Sequence, residues 1–349
     1  MTERPATYAA AGVDIAAGDR AVERIRDLVA STARPEVLGG IGGFGGCFAF
    51  DASRYRNPVL VSSTDGVGTK VFVARATGRF DSVGIDLVAM CVDDLVCVGA
   101  EPLFVLDYVV SGTLVPDQME ALVSGVADGC RQAGCALLGG EMAEHPGAMD
   151  PGEFDLAGFA VGAVDRDAML GAERVTAGDV LVGLASPGLR SNGYSLARHV
   201  LLERAGRGLD EPAWDGADHS LADELLRPSV VYARAVLAAL STGVVHAAAH
   251  ITGGGITGNL ARVLPPGCDA VAERRRFRTP EIFSEIQRLG DVDENEMARV
   301  FNLGIGMVLV VGADGADDAL GALDGAGQEA MVVGRIVEGS GRVQMEPGG

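Results

Sequence analysis

The stretch Ser63-Thr64-Asp65-Gly66-Val67-Gly68-Thr69-Lys70 gathers a carboxylate, hydroxyls and an ammonium around two glycines. Of the 28 lysines and arginines in the chain, Lys70 is the single lysine. An ammonium is a compact point charge with three rotatable donors, whereas a guanidinium is a wide planar fork. A glycine-rich turn that carries Asp65, Thr69 and the lone lysine therefore reads as a crowded place where phosphate and a metal meet. The plainer alternative is a lysine left in a solvated loop.

Further carboxylates stand in apolar or glycine-rich settings: Asp93 and Asp94 in an apolar helical run, Glu141 directly after Gly139-Gly140, and Glu144 three residues on. Such groups are costly unless paired or metal-bound, and magnesium needs only a few of them beside nucleotide phosphates. Asp86 and Asp93, seven residues apart, are expected on a solvated helix face. Asp94 points to a different side and leads into a Gly99-Ala100-Glu101-Pro102 stop, so it takes the functional role. The turns Ser191-Asn192-Gly193 and Thr252-Gly253-Gly254-Gly255 stand at strand-to-helix joins, where backbone N–H groups suit anions. The run Gly39-Gly40-Ile41-Gly42-Gly43-Phe44-Gly45-Gly46 could be a dinucleotide fingerprint, a mobile lid or a flexible turn. It follows a helix and precedes a strand, the wrong order for a dinucleotide fold, so an oxidoreductase is disfavoured.

The elements that must hold these residues follow from periodicity and punctuation. A polar, Ala-rich arm over 1–17 precedes a helix after Gly18 with Ala21, Val22, Ile25, Leu28 and Val29 on one face. Strands at Cys47–Phe50 and Val59–Ser62 lead into the Asp65–Lys70 turn. A helix over Ser82–Val98, a buried strand Leu103–Val110, a helix Pro116–Ala133, a strand Cys135–Leu138 and a strand Phe154–Val164 complete the first half. A boundary is expected near 165–175, giving domains over 18–168 and 169–349. The second half begins with a strand at Val180–Ala185 and a helix from Tyr194. Helices near Pro280–Leu289 and Asp314–Leu323 then alternate with strands Gly304–Val311 and Ala330–Val337. This mixed order argues for two α/β domains.

A net charge of −20 argues against general affinity for nucleic acid or anionic membrane. Arg274-Arg275-Arg276-Phe277-Arg278 is then a solvated run before it is a nucleic-acid patch. No stretch approaches a membrane span. The six cysteines form no C-x-x-C pair and there is no apolar leader, which points to a reducing cytoplasm. No H-E-x-x-H pattern supports a zinc hydrolase, and His246 and His250 read as core or cleft-lining.

Taken in order, these segments resemble the phosphoribosylformylglycinamidine cyclo-ligases, also called aminoimidazole ribonucleotide synthetases. The likeness is carried by Thr64–Lys70, Gly84–Cys91, Asp94 with Gly99, Ala100 and Pro102, Gly139–Glu144, Ser191–Leu196 and Thr252–Gly255. It runs from Tyr8 to Gly334. The resemblance implies a homodimer whose N-terminal half-barrel domains join in a β-barrel, flanked by C-terminal mixed-sheet domains. It implies ring closure of formylglycinamidine ribonucleotide to aminoimidazole ribonucleotide in purine synthesis, with ADP and phosphate released through an iminophosphate. On it, Lys70, Asp65 and Arg190 are expected in catalysis, and Gly66, Gly68, Thr69, Asp94, Gly99 and Ala100 around ATP. Gly42, Gly43, Ser191, Asn192, Gly193, Thr252, Gly253 and Gly254 are expected around the ribonucleotide, and Asp65, Asp94 and Glu141 around Mg2+.

Three departures matter. Arg190 stands where histidine is common, and being permanently protonated it can bind phosphate or polarise the formyl oxygen but hardly shuttle a proton. Asp93 replaces a common Asn, and Met142 a common Thr. The alternatives are a kinase of the thiamine-phosphate type within the same superfamily, and a catalytically silent nucleotide-binding protein. Intact Asp65, Lys70, Asp94 and Glu141 count against the silent protein.

Overall fold

The computed structural model describes residues 6–346. Helix α1 spans Ile15–Ala30, opening inside the expected arm because Asp14 caps it by accepting from the Ala17 N–H. A short pair, β1 (Val37–Leu38) and β2 (Cys47–Phe48), brackets the glycine run. Then come β3 (Pro58–Gly66), α2 (Val71–Thr77), α3 (Asp81–Cys97), β4 (Glu101–Ser111), α4 (Pro116–Ala133), β5 (Ala136–Glu144) and β6 (Phe154–Asp165). Pro116 in the first turn and left-handed Gly134 at the end fix the bounds of α4 as the sequence predicts. Two bounds differ. Asp65 and Gly66 close β3 and do not lie in a turn, and β5 runs on through Gly139-Gly140 to Glu144, because each is paired to a neighbouring strand.

The first sheet has the order β3-β6-β4-β5, with only β4 and β5 parallel. Helices α1, α3 and α4 cover one face. The other face is open and apolar: Leu60 is 63% exposed, Phe159 41% and Tyr108 39%. Helices α3 and α4 cross so closely at Gly84 and Gly125 that a Cβ on either would run into the opposite backbone.

The second domain contains β7 (Val180–Ala185), α5 (Tyr194–Arg198), α6 (Leu221–Leu225), α7 (Ala233–Leu240), β8 (Val245–His250), α8 (Gly255–Leu260) and β9 (Cys268–Glu273). It continues through α9 (Glu281–Gly290), α10 (Glu294–Val300), β10 (Ile305–Val311), α11 (Ala316–Gly325), β11 (Ala330–Glu338) and β12 (Val343–Glu346). Its six-stranded sheet runs β12-β9-β11-β7-β10-β8, and only β12 pairs in parallel. The architecture is α/β in two parts, as the element order implies.

Helix α3 is the keel of the molecule. It lies between the first sheet and the second domain, touching β3 and β6 on one side and β8 and α7 on the other. Val83, Leu87, Val88, Cys91, Val92, Leu95 and Val96 are all buried, and a fully buried aliphatic side chain contributes about 1.5–3 kcal/mol. The solvated face expected at Asp86 and Asp93 does not exist. Both are wholly buried, because the second domain packs where solvent was expected.

Candidate active site

Asp65 stands at the end of β3, and its Oδ1 accepts from the Gly66 N–H at 2.8 Å. Asp94 lies across from it on α3, where the Ser63 hydroxyl donates to Oδ2 at 3.2 Å and His250 Nδ1 meets Oδ1 at 2.9 Å. Partial enclosure and the neighbouring Asp94 raise the Asp65 carboxyl above its ordinary range. Enclosure also pushes Asp94 upward, but the hydrogen bonds from His250 and Ser63 outweigh it and leave that carboxyl low. Two hard oxygen ligands side by side, one firmly ionised, suit magnesium, which takes its remaining ligands from phosphate and water.

Asp65, Gly66, Gly68 and Thr69 line a cleft of about 640 Å³. The second domain closes on this turn. Thr69 Oγ1 lies 3.1 Å from Ser195 Oγ, and a Cβ on Gly68 would stand 3.7 Å from the Ser191 carbonyl. The turns at 67–70 and 190–195, remote in sequence, are thus brought together. Ser191 Oγ and Asn192 Oδ1 are buried there without a protein partner. Thr252, Gly253 and Gly254 follow one residue after His250, which ends β8, and Asn259 Nδ2 donates to all three of the Thr252, Gly253 and Gly255 carbonyls.

Lys70 is not exposed. Its ammonium lies 2.5 Å from Asp86 Oδ2 and donates to the carbonyls of Arg227 at 2.8 Å and Arg190 at 3.2 Å. Asp86 also accepts from the Ser229 N–H and hydroxyl. Burial lowers the Lys70 pKa, and Asp86 opposes that pull. Wholly buried against Asp86 and two carbonyls, the Lys70 ammonium does not line the cleft where phosphate was expected, and the pair binds α3 to the second domain.

Arg190 is equally enclosed, 2% exposed, in left-handed backbone with φ 63°. Its guanidinium stacks on Tyr232 at 4.6 Å and donates to the Val230 carbonyl, to Asp93 Oδ2 at 2.7 Å and to His250 Nε2 at 3.2 Å. A guanidinium can only donate, so Nε2 is the acceptor and the ring proton sits on Nδ1, facing Asp94. The direct substrate contact expected of Arg190 gives way to a buried chain, Asp93–Arg190–His250–Asp94, that ends at the site.

Other expected groupings separate. Ala100 is wholly buried and Gly99 packs against Ala168 and Leu170, so this pair ends α3 instead of cradling phosphate. Glu141 sits opposite Tyr108, which faces Ala157, which faces Gly66. It is therefore three strand spacings from the end of β3, about 14 Å. Among the described residues no group of three or more His, Cys, Asp or Glu is close enough to hold one ion, so Glu141 does not join Asp65 and Asp94. Glu144 accepts from the backbone of Asp14 and Leu114, a structural role. Gly42 and Gly43 line a second cavity with Glu141, apart from Ser191–Gly193. Missed in the sequence were Ser63, whose alternation along β3 carries it toward α3, and Asp107, a single carboxylate inside the apolar strand β4.

The sequence matches the families described as AIR synthase related protein, N-terminal domain over residues 50–164 and C-terminal domain over residues 176–346. Phosphoribosylformylglycinamidine cyclo-ligase from Anaeromyxobacter dehalogenans strain 2CP-1 is 55% identical over 333 residues, 95% of this chain and 96% of that protein. This chain belongs to the phosphoribosylformylglycinamidine cyclo-ligase family. The cyclo-ligase of Trichlorobacter lovleyi is 50% identical over 336 residues, 96% of each chain. Solved structures sharing the fold include thiamine-monophosphate kinase from Stenotrophomonas maltophilia K279a, at TM-score 0.66 and 19% identity over 93% of this chain and 96% of that one. The hydrogenase maturation protein HypE in complex with ATP gives TM-score 0.62 and 18% identity over 93% and 90%. At such identities these two speak for the cyclo-ligase's fold and not for its reaction. Among the described residues no helix is long and apolar enough to cross a membrane.

Proposed function

We propose that this cyclo-ligase closes formylglycinamidine ribonucleotide to aminoimidazole ribonucleotide at the expense of ATP, releasing ADP and phosphate as a step of purine synthesis. The observation that carries the ATP assignment is the Asp65–Asp94 carboxylate pair, with Asp65 lining a cleft beside the point where the turns 67–70 and 190–195 meet. An amide oxygen leaves poorly. Phosphorylating the formyl oxygen makes an iminophosphate, and the amidine nitrogen of the same molecule then attacks that carbon, helped by its proximity.

Asp65 and Asp94 are the residues that would hold Mg2+, which when bound neutralises charge on the phosphate oxygens. His250 keeps its proton on Nδ1 and fixes the Asp94 carboxylate, while Ser63 holds the other oxygen. Gly66, Gly68 and Thr69 offer backbone along the phosphates. Ser191 Oγ and Asn192 Oδ1, buried and unpartnered, await polar groups of the substrates. Lys70 and Arg190 act indirectly, by holding the second domain and the His250 ring in place.

The open face bearing Leu60, Tyr108 and Phe159 supports a homodimer in which two first sheets cover one another. The free thiols, with no disulfide among the described residues, support a reducing cytoplasm as the place of action. The deciding assay supplies formylglycinamidine ribonucleotide and ATP and follows ADP together with the five-membered aminoimidazole product. Thiamine monophosphate is the control substrate. Product from the control and none from the ribonucleotide would overturn the assignment.

A further inference from the structure

The cavity beneath the glycine run has a feature that the cleft at Asp65 lacks. It measures about 470 Å³, with Ile25, Val29, Ile41, Phe44, Leu137 and Met142 among its walls. Two carboxyl groups line this apolar space, the exposed Glu141 and Asp107 of β4, which is 9% exposed and is the buried one of the two. Among the described residues its carboxylate receives no hydrogen bond except from its own backbone N–H. The neighbouring strand makes room for it, since a Cβ on Gly140 would run into the Asp107 carboxylate. An apolar residue at position 107 would satisfy the packing without that desolvation cost.

Placement relates the carboxyl to the phosphate end of the site. Asp65, Gly158, Asp107 and Gly140 stand opposite one another in successive strands. Asp65 and Asp107 therefore leave the sheet on the same face, about 10 Å apart at two strand spacings. That separation is within the reach of a nucleotide from its phosphates to its base. It also lets a second small substrate lie beside the phosphates. Gly42 and Gly43 form the roof, and the exposed Phe44 ring sits in the same loop.

We propose that Asp107 anchors a binding site for an amidine edge, the planar N–C–N group whose two nitrogens match the two oxygens of a carboxyl. The proposal rests on the cyclo-ligase reading only for the candidate sources. ATP carries such an edge in the amino-pyrimidine side of adenine. The ribonucleotide carries one in its open-chain amidine, which binds as a cation. Apolar walls suit the flat faces of either, and one bidentate pair in a dry cavity fixes orientation. Burial pushes the Asp107 pKa up to about 7, so both the neutral acid, which pairs with adenine, and the carboxylate, which pairs with an amidinium, are accessible near neutrality.

Two variants separate the sources. Asp107→Asn keeps one donor and one acceptor, so it still pairs with adenine but loses the charge an amidinium needs. Asp107→Leu loses both. Binding of a non-hydrolysable ATP analogue and of benzamidine, a simple amidinium, is measured by calorimetry on the full chain, with melting curves to confirm folding. If the site takes the base, the ATP analogue binds about tenfold or more weakly to Asp107→Leu and nearly normally to Asp107→Asn. If it takes the open-chain amidine, benzamidine weakens by a similar factor in both variants, and the ribonucleotide KM rises with it. Affinities for both probes within twofold of wild type in folded Asp107→Leu overturn the proposal. These are equilibrium measurements, so they decide the site even if the wild-type protein closes no ring.

Discussion

Replacing Lys70 with Met separates a lysine that binds phosphate from one that holds two domains together. Lys70 and Asp86 are both wholly buried and 2.5 Å apart. Removing the ammonium leaves the Asp86 carboxylate with only its Ser229 donors. Breaking a buried pair from one side costs about 3–5 kcal/mol. The Arg190 and Arg227 carbonyls each lose a donor as well, at about 1 kcal/mol apiece. Methionine fills nearly the same volume, so the cavity contribution is small. At about 2–4 °C per kcal/mol for a domain of 150–250 residues, the melting transition should fall by on the order of 10–30 °C. The double variant Lys70→Met/Asp86→Leu leaves no charge at either position and should melt above the single variant, even though the Ser229 donors lose their acceptor. Calorimetric scans of the wild type and both variants, paired with ATP turnover, decide the matter. A Lys70→Met protein that melts within about 2 °C of wild type yet has lost turnover would refute the argument and return Lys70 to the phosphates.

Asp94→Asn and Asp65→Asn should each raise the magnesium concentration needed for ATP use by about tenfold or more while leaving the fold intact; an unchanged requirement in both removes the metal from this pair. His250→Leu should weaken Mg–ATP binding similarly through a released Asp94, whereas His250→Asn, which keeps a donor near Nδ1, should recover most of it; equal loss in both means the ring does more than position. Leu60→Asp, placed on the open sheet face, should convert a sedimenting dimer to monomer, and a dimer that persists points to another interface. Asp107 binds its proton more tightly folded, at a pKa of about 7, than at the ordinary 3.8, so the folded state holds the extra proton between these values and stability falls as pH rises through that window. The ceiling is about 4 kcal/mol at 1.36 kcal/mol per unit. Asp107→Leu should flatten the slope in denaturant melts between about pH 4 and pH 7, and parallel slopes would show that the carboxyl is solvated. The neighbouring Cys91 thiol, raised by burial to about 12, stays neutral throughout.

Helices and strands with strong local signals were legible without any structure. Pro116 and Gly134 mark both ends of α4, and unbroken apolar runs mark β7 and β10. The same patterns left α6, α7, β9, α10 and β12 unassigned, since these short elements draw their order from neighbours more than from their own periodicity. Asp65 and Asp94 were legible as a site because a carboxylate beside glycine, or on an apolar helix, needs a reason. Asp107 sent the same signal within β4, but a single acid in a strand is easily absorbed into a core run.

The sequence alone determined the two α/β halves, the segments that carry the family likeness and the carboxylates worth explaining, because local propensity and residue chemistry are written in short windows. Which carboxylates meet was settled only by tertiary structure. The strand order β3-β6-β4-β5 puts Glu141 three strands from the end of β3, and no local pattern encodes strand order. Packing of the second domain over α3 buried Asp86 and Asp93, turning Lys70 and Arg190 from candidate ligands into partners of those acids. A buried charge must find its counter-charge within the protein, and that demand, set by which surfaces touch, assigned the lone lysine its place.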